Sequence, residues 1–187
     1  MVFTYLETAR LRLNKITPAV LHELFDTYSK EEVMELMGFD EAAYLHHLDM
    51  HQKGMETHRL SLLYFLLVEK ESGLPVGNCG FHTWNATHRR AELFYSLLAE
   101  EHKCKGLMTE ALEAVLAYGF EEMQLHRVAA LVWRENIPSL KLLRRFGFTF
   151  EGTLREDYVV EGKSEDSECY SLLSWEWRNN VLSSKQK

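Results

Sequence analysis

The chain has 187 residues, 46% of them hydrophobic and 26% charged, with a formal net charge of −7. That length and balance describe a folded globular domain with a sizeable core rather than a disordered chain. The negative sign argues against a nucleic-acid partner gripped through its phosphates and favours cationic ligands such as amines.

Three cysteines, Cys79, Cys104 and Cys169, lack metal-ligand spacing and are read as the reduced thiols of a cytoplasmic protein. The segment Met1 to Glu7 has no apolar signal core, and the longest nearly apolar run, Leu60 to Val68, is too short to cross a bilayer, so a soluble protein is expected.

In chain order, Thr8 to Ile16 alternates polar and apolar residues, which predicts a first strand with one face covered. Thr17 then caps a helix with Pro18 in its first turn, and Val20, Leu21, Leu24, Phe25 and Tyr28 supply its apolar stripe. Asp40 to His58 reads as a second helical region. Within it His47 and His51 stand four apart on one face, a spacing zinc sites use, but no third ligand is evident and a polar helix face is the simpler reading. No metal is expected.

Leu60 to Glu69 has apolar residues at both parities, as a fully buried strand does, and Glu71-Ser72-Gly73 turns it into a second strand, Leu74 to Trp84. Gly77 and Gly80 in that second strand imply close packing or a bulge. Asn85 to His88 turns the chain again, and Arg90 to Leu98 returns. Met108, Leu112, Val115, Gly119 and Met123 then recur at helical spacing, and Val128 to Trp133 is a buried strand. Asn136 caps a helix that runs through Arg145 and closes at Gly147, with Lys141, Arg144 and Arg145 on a solvated face. Thr149 to Val159 and Glu168 to Trp177 are expected as a hairpin turning at Glu161-Gly162-Lys163, and Val181 to Lys187 as a frayed tail. With no repeat or linker, one α/β domain with a sheet of mixed direction accounts for the chain.

The stretch from Leu98 to Leu112 joins a strand, a polar turn and a helix. A helix beginning there offers unpaired backbone N–H groups and the positive end of its dipole to an anion, with Lys103 and Lys105 beside it. It is neither a nucleoside-triphosphate loop nor a dinucleotide glycine pattern. This stretch resembles the acetyl-CoA loop of the GCN5-related N-acetyltransferase (GNAT) superfamily, and the run Lys105-Gly106-Leu107-Met108-Thr109-Glu110-Ala111-Leu112 resembles its RimJ/RimL branch. Asn136-Ile137-Pro138-Ser139-Leu140 is similar to the family's second cofactor motif. The resemblance covers about residues 7–177. It departs from the usual loop, which carries Arg or Gln, then Gly, then Gly or Ala, where this chain has Glu101, Cys104 and Gly106.

The resemblance implies a single-domain GNAT fold: a mixed, mostly antiparallel sheet of about seven strands flanked by about four helices, splayed between Arg90 to Leu98 and Val128 to Trp133 with pantetheine in the gap. It implies acetyl-CoA as co-substrate and direct acetyl transfer to a primary amine, either a protein N-terminal α-amine or a small-molecule amine. The implied partners are acetyl-CoA and the amine, with neither nucleic acid nor membrane, and a homodimer is compatible with it. The cofactor residues it assigns are Ser96, Leu97, Leu98, His102, Lys103, Cys104, Lys105, Gly106, Leu107, Met108, Thr109, Asn136 and Ser139. His46, His47 and His51 fall in the segment that borders the acceptor side.

An amine attacks only when unprotonated, and α-amines titrate near about 8 whereas side-chain amines titrate near about 10.4, so a base serves the latter most. Glu92, inside an apolar strand and matching an acidic position of the family, is the candidate base. Its alternative is a structural carboxylate paired with Arg89, Arg90 or the backbone. Ser139 is the candidate for contacting or protonating the coenzyme sulfur, against a hydrogen bond at the helix start. Glu156, Asp157 and Tyr158 lie at a turn where relatives place an acidic or tyrosine group. No nucleophile motif suggests an acyl-enzyme. A CoA-binding regulatory domain without turnover and a plain interaction module are the alternatives, which release of CoA thiol separates.

Overall fold

The structure, a computed structural model, describes residues 3–53, 63–160 and 162–184. The backbone clusters into two compact units, Met1–Trp84 with Phe94–Ala117 and Asn85–Leu93 with Tyr118–Lys187.

In the first unit, β1 (Tyr5–Glu7) pairs antiparallel with β2 (Leu11–Ile16), β2 with β3 (Leu63–Glu69), and β3 with β4 (Pro75–Asn85). The second half of β5 (Arg90–Leu97) follows β4 in the order. The strand expected from Thr8 to Ile16 starts only at Leu11, and a separate strand precedes it, because Thr8 folds the chain back: its N–H donates to the Leu11 carbonyl at 3.0 Å and its Oγ1 accepts from the Leu11 N–H at 3.1 Å. Local side-chain bonding of this kind competes with a sheet ladder. The register of β3 on β4 slips between Leu67 and Val68, beside Gly77. A Cβ on Gly77 would lie 2.5 Å from the Ser96 carbonyl oxygen, and one on Gly80 would lie 2.0 Å from that of Leu63, which is why both positions lack one.

Helix α1 (Pro18–Thr27) starts as expected, with Thr17 accepting from the Val20 N–H and Leu21 and Leu24 buried. The sequence reading passed over α2 (Lys30–Met37), although Ser29 and Glu32 form a reciprocal capping box and Gly38 ends it at φ 65°. Helix α3 (Glu41–Lys53) is capped by Asp40, whose Oδ1 accepts from the Ala43 N–H at 2.8 Å. The remainder of the helical region expected to His58, and Leu60 to Leu62 of the following strand, lie outside the described residues. Ile16, Leu21, Leu24, Val33, Met37, Tyr64 and Leu66 bury together, so α1 and α2 lie over β2 and β3.

The second unit holds the first half of β5, then β6 (Arg127–Val132), β8 (Lys163–Leu173) and β7 (Thr149–Val160), with α5 (Ile137–Arg145) and α6 (Ser174–Ser184). Helix α4 (Leu107–Glu121) precedes β6. The parallel register of β5 on β6 runs over Arg90, Ala91 and Glu92, opposite Arg127, Val128 and Ala129, whereas β6 pairs antiparallel with β8 as far as Val132. The eight strands and six α-helices of the described residues make the mixed, mostly antiparallel α/β arrangement expected.

The C-terminus departs from expectation. The strand expected to reach Trp177 ends at Leu173, and what was read as a tail from Val181 is helical to Ser184. The Glu176 carboxylate accepts from the Leu173 N–H at 2.8 Å, as a helix start requires, and Trp177 buries against Phe120 with ring centroids 5.7 Å apart.

One polar anchor crosses this unit. Arg127 on β6 grips the Glu151 carboxylate of β7 with both terminal nitrogens, and the Ser171 hydroxyl donates to Glu151 at 2.7 Å. The hydrogen bond from Arg127 holds the Glu151 carboxyl down to about 2. A depressed carboxylate contributes stability above its unfolded pKa of about 4.3, and that contribution is lost as pH falls through the folded value. Its size is about 1 kcal/mol or less, because the Glu151 side chain is 38% exposed. Urea unfolding of wild type and Glu151→Gln should therefore show a stability gap at pH 6 that closes towards pH 2. A gap independent of pH would contradict this assignment.

Candidate functional site

The turn ahead of α4 belongs to the first unit. After β5, a short 3-10 turn at Glu100–His102 leads into Lys103, Cys104, Lys105 and Gly106. Cys104 and Gly106 both adopt left-handed backbone, at φ 59° and 77°. The first helical bond of α4 runs from the Glu110 N–H to the Gly106 carbonyl at 3.1 Å, so the N–H groups of Leu107, Met108 and Thr109 precede any helical acceptor. The Leu107 and Met108 side chains are buried and pin the helix start to the core, leaving their backbone as the part that can meet a ligand. Lys103, Cys104, Lys105 and Gly106 are exposed and His102 is half-buried. Lys103 pairs with Glu100, which offsets part of the turn's positive charge.

The turn is tied to the start of the chain. Arg10, between β1 and β2, donates from Nη1 to the Lys105 carbonyl at 2.9 Å and from Nε to Glu110 Oε2 at 2.7 Å. Glu110 Oε1 also accepts from the Arg10 N–H at 2.7 Å and from the Thr8 hydroxyl. Sequence reading placed Thr8 and Arg10 in a strand and missed this contact. The one available signal was three residues, Thr8-Ala9-Arg10, without a large apolar side chain just before the alternation of Leu11 and Leu13.

At the end of β5, Ser96 and Leu98 are exposed and Leu97 is half-buried. The Leu98 N–H is spent on the Val76 carbonyl of β4 at 3.0 Å. Strand alternation then turns the Leu97 N–H away from β4, so of the three cofactor residues assigned here Leu97 is the one whose N–H is presented outward.

In the second unit, register puts Glu92, Ala129 and Ser171 on one face, together with Arg127 and Cys169 two residues along their strands. Glu92 is half-buried, and its charge adds to burial and to Glu151 in pushing the Cys169 thiol up. Of the arginines weighed as its partners, Arg89 donates its Nε to the Gln124 carbonyl at 2.7 Å. Asn136 caps α5 by accepting from the Ser139 N–H at 3.2 Å. That bond uses the Ser139 backbone, and the Ser139 hydroxyl has no hydrogen-bond partner among the described residues. Glu156 sits at a register slip in β7 at φ 51°, its N–H donating to Asp166 at 3.0 Å, and Arg134 reaches the same carboxylate at 3.4 Å.

Comparison with known proteins agrees with this arrangement. Residues 10–149 match the family model described as the acetyltransferase (GNAT) domain. The chain belongs to the GNAT acetyltransferase family. It is similar to the uncharacterized N-acetyltransferase YoaA of Bacillus subtilis (strain 168), 30% identical over 92% of this chain and 98% of that one. A ribosomal N-acetyltransferase by name, YdaF of the same organism, is 37% identical over 56% of this chain and 57% of its own length. The crystal structure of a spermidine/spermine N-acetyltransferase SpeG from Vibrio cholerae shares the fold with a TM-score of 0.69 at 21% identity, covering 92% of this chain and 97% of that one.

GNAT acetyltransferases use acetyl-CoA as co-substrate and deliver the acetyl group to an amine. The residues present suit such a donor. Exposed N–H groups at a helix start, two left-handed turn positions and flanking cations can receive a pyrophosphate, and an outward Leu97 N–H can donate to the carbonyl oxygen of a thioester beside it.

The histidines divide. His47 stacks on Phe39 with centroids 4.3 Å apart and bonds the Ala43 carbonyl at 2.8 Å, and burial lowers its pKa, so it is a packing residue of α3. His51 turns instead to α1: its Nδ1 lies 2.7 Å from that of His22 and its Nε2 lies 3.4 Å from Asp26. The His47–His51 pair of the sequence reading is thus split, and His22, which periodicity did not single out, joins His51. His46 is exposed.

Among the described residues no helix is long and apolar enough to cross a membrane.

Proposed function

We propose that the chain is a single cytoplasmic N-acetyltransferase domain that transfers acetyl directly from acetyl-CoA to a primary amine, of a protein N-terminus or of a small molecule. The turn from Lys103 to Gly106 with the free N–H groups of α4 carries this reading. In it, the N–H groups from Cys104 to Thr109 receive the pyrophosphate, His102 and Lys103, whose own N–H groups are spent on Ala99 and Glu100, line the turn through their side chains, and Ser96 to Leu98 run beside pantetheine. The Leu97 N–H stabilises the oxyanion that forms as the amine adds to the thioester carbon. Glu92 takes the amine proton, directly or through water. As the tetrahedral intermediate collapses, the carbon–sulfur bond breaks and the thiolate leaves hydrogen-bonded to the Ser139 hydroxyl, which relays a proton to it from water, with Asn136 holding the helix that carries it.

The net charge of −7 supports a cationic acceptor. The names of similar proteins, a spermidine/spermine N-acetyltransferase and a ribosomal N-acetyltransferase, mark the two acceptor classes to test. We also propose self-association as at least a homodimer. The strand β7 closes one end of the strand order and exposes Phe150, Leu154, Val159 and Val160, an edge that favours a partner strand.

Incubating the protein with acetyl-CoA and a panel of primary amines should release free CoA thiol with at least one of them. Calorimetry showing no heat of acetyl-CoA binding at millimolar ligand would end this reading. Binding without thiol release across the panel would favour the regulatory alternative.

A further inference from the structure

Arg10 is separated from the turn by 95 residues of sequence, yet it touches the turn through the Lys105 carbonyl, and the way it does so constrains the direction of a peptide plane. Because a trans peptide is planar, with C=O and N–H on opposite sides, a Lys105 carbonyl drawn towards Arg10 forces the Gly106 N–H to face the other way. The guanidinium also reaches beside Gly106: its Nη2 would be 3.6 Å from a Cβ built there.

Arg10 is itself immobilised. Its Nε and its own N–H both end on Glu110, the Lys70 N–H donates to its carbonyl at 2.9 Å, and the Lys70 ammonium holds the Thr8 carbonyl at 2.7 Å. Glu110 is partly buried, which pushes its carboxyl up, but the hydrogen bonds from Thr8 and Arg10 prevail and hold it below the ordinary range. Glu110 lies in the first turn of α4, where negative charge also suits the helix dipole. A rigid fork therefore spans the β1–β2 turn, the helix and the loop at once.

We infer that Arg10 is a positioning residue for the acetyl donor: held by Glu110, which the Thr8 hydroxyl fixes in turn, it turns the Lys105–Gly106 peptide so that its N–H faces the pyrophosphate. This inference rests on the proposed function. It assigns to the β1–β2 turn, outside both cofactor motifs, the preorganisation of the phosphate loop. The planar fork is essential, since one lysine ammonium cannot meet Glu110 and the Lys105 carbonyl with the same geometry.

The test uses Arg10→Gln, Arg10→Lys, Glu110→Gln and the milder Thr8→Ala, with thermal unfolding to confirm that each is folded. With an acetyl acceptor found for the wild type, Arg10→Gln and Arg10→Lys should each raise KM for acetyl-CoA about tenfold with kcat little changed, the loss of one charge-assisted hydrogen bond. Glu110→Gln should lose a similar factor, and the Arg10→Gln/Glu110→Gln double variant should be no worse than either single one. With S-acetylpantetheine, which lacks the pyrophosphate, kcat/KM should be the same for wild type and variants. Full activity in Arg10→Lys would overturn the inference in favour of simple charge, and an equal loss with S-acetylpantetheine would overturn it in favour of general structural support. If Arg10 and Glu110 variants fail to fold, Thr8→Ala decides alone: a KM increase of about threefold with acetyl-CoA and none with S-acetylpantetheine is expected, and no difference between the two donors refutes the clamp. Failure of the underlying reading is visible earlier, as a wild-type protein that binds no acetyl-CoA.

Discussion

Glu92→Gln should lower kcat by about 10²-fold to 10³-fold at pH 7 while leaving the affinity for acetyl-CoA within about twofold. Glutamine keeps the size and one oxygen of the side chain but cannot accept the amine proton, so the loss falls on the chemical step. The deficit should shrink as pH approaches the amine's own pKa, because an acceptor that is already deprotonated needs no base. The structural alternative predicts a different pattern. Glu92 shares its sheet face with Arg127 and Cys169 near the Glu151 anchor, so a purely structural carboxylate would cost folding stability instead. Measuring kcat, donor affinity and urea unfolding on the same variant separates the two. Unchanged turnover with reduced stability would remove Glu92 from catalysis.

Much of the fold was legible because its signals are local. Thr17-Pro18 and Asn136 are cap residues whose bonds lie within three positions, and Gly147 at φ 79° and Gly73 at φ 71° end elements where only a residue without Cβ is at ease. The elements that were missed depend on distant partners or compete with a second pattern. The Thr8–Arg10 turn is tied down by Glu110, 100 residues away from Arg10, and its one local signal, the lack of a large apolar side chain from Thr8 to Arg10, is too weak to set it apart from a strand. The start of helix α6, Ser174 to Trp177, was read as the end of a strand and its last residues as a tail; Trp175 and Trp177 do alternate, but only Trp177 is buried and Trp175 is 53% exposed. Helix α2 did carry its signal, the Ser29 and Glu32 box, and was overlooked because its charged surface hid the two buried residues, Val33 and Met37.

The same division holds for the candidate site. The loop's place was readable from residue types, since a polar turn between strand and helix is a local feature. Which backbone donors face outward was not, because that follows from strand pairing: the Leu98 N–H is consumed by Val76, which the sequence does not reveal. Met108 heads the apolar stripe read from the sequence, but nothing in that stripe shows that Leu107 also turns its side chain into the core and offers its backbone to a ligand.

Alkylation of Cys104 should abolish acetyl-CoA binding, and saturating CoA should slow that alkylation at least about tenfold. Cys104 stands where the resemblance to the family's loop implies glycine, and its φ of 59° is the conformation that glycine adopts without strain. For an L-residue the left-handed region costs about 1–2 kcal/mol, of which glycine's greater freedom in the unfolded chain offsets about 0.5–1 kcal/mol. Cys104→Gly should therefore raise stability by about 0.5–1 kcal/mol and keep or tighten acetyl-CoA binding, since a smaller residue lets the backbone approach the pyrophosphate. The chemistry is selective among the three thiols. Cys79 is fully buried and burial pushes its thiol up, and Cys169 is pushed up by burial and by the charge of Glu151, whereas Cys104 is exposed. Limited reagent at neutral pH should thus modify Cys104 first, placing a bulky group on a turn whose N–H groups must lie against phosphate. Mass spectrometry of the peptide containing Cys104 gives the rates. Equal rates with and without coenzyme, in protein shown by calorimetry to bind it, would put Cys104 away from the phosphates and move the pyrophosphate site off this turn.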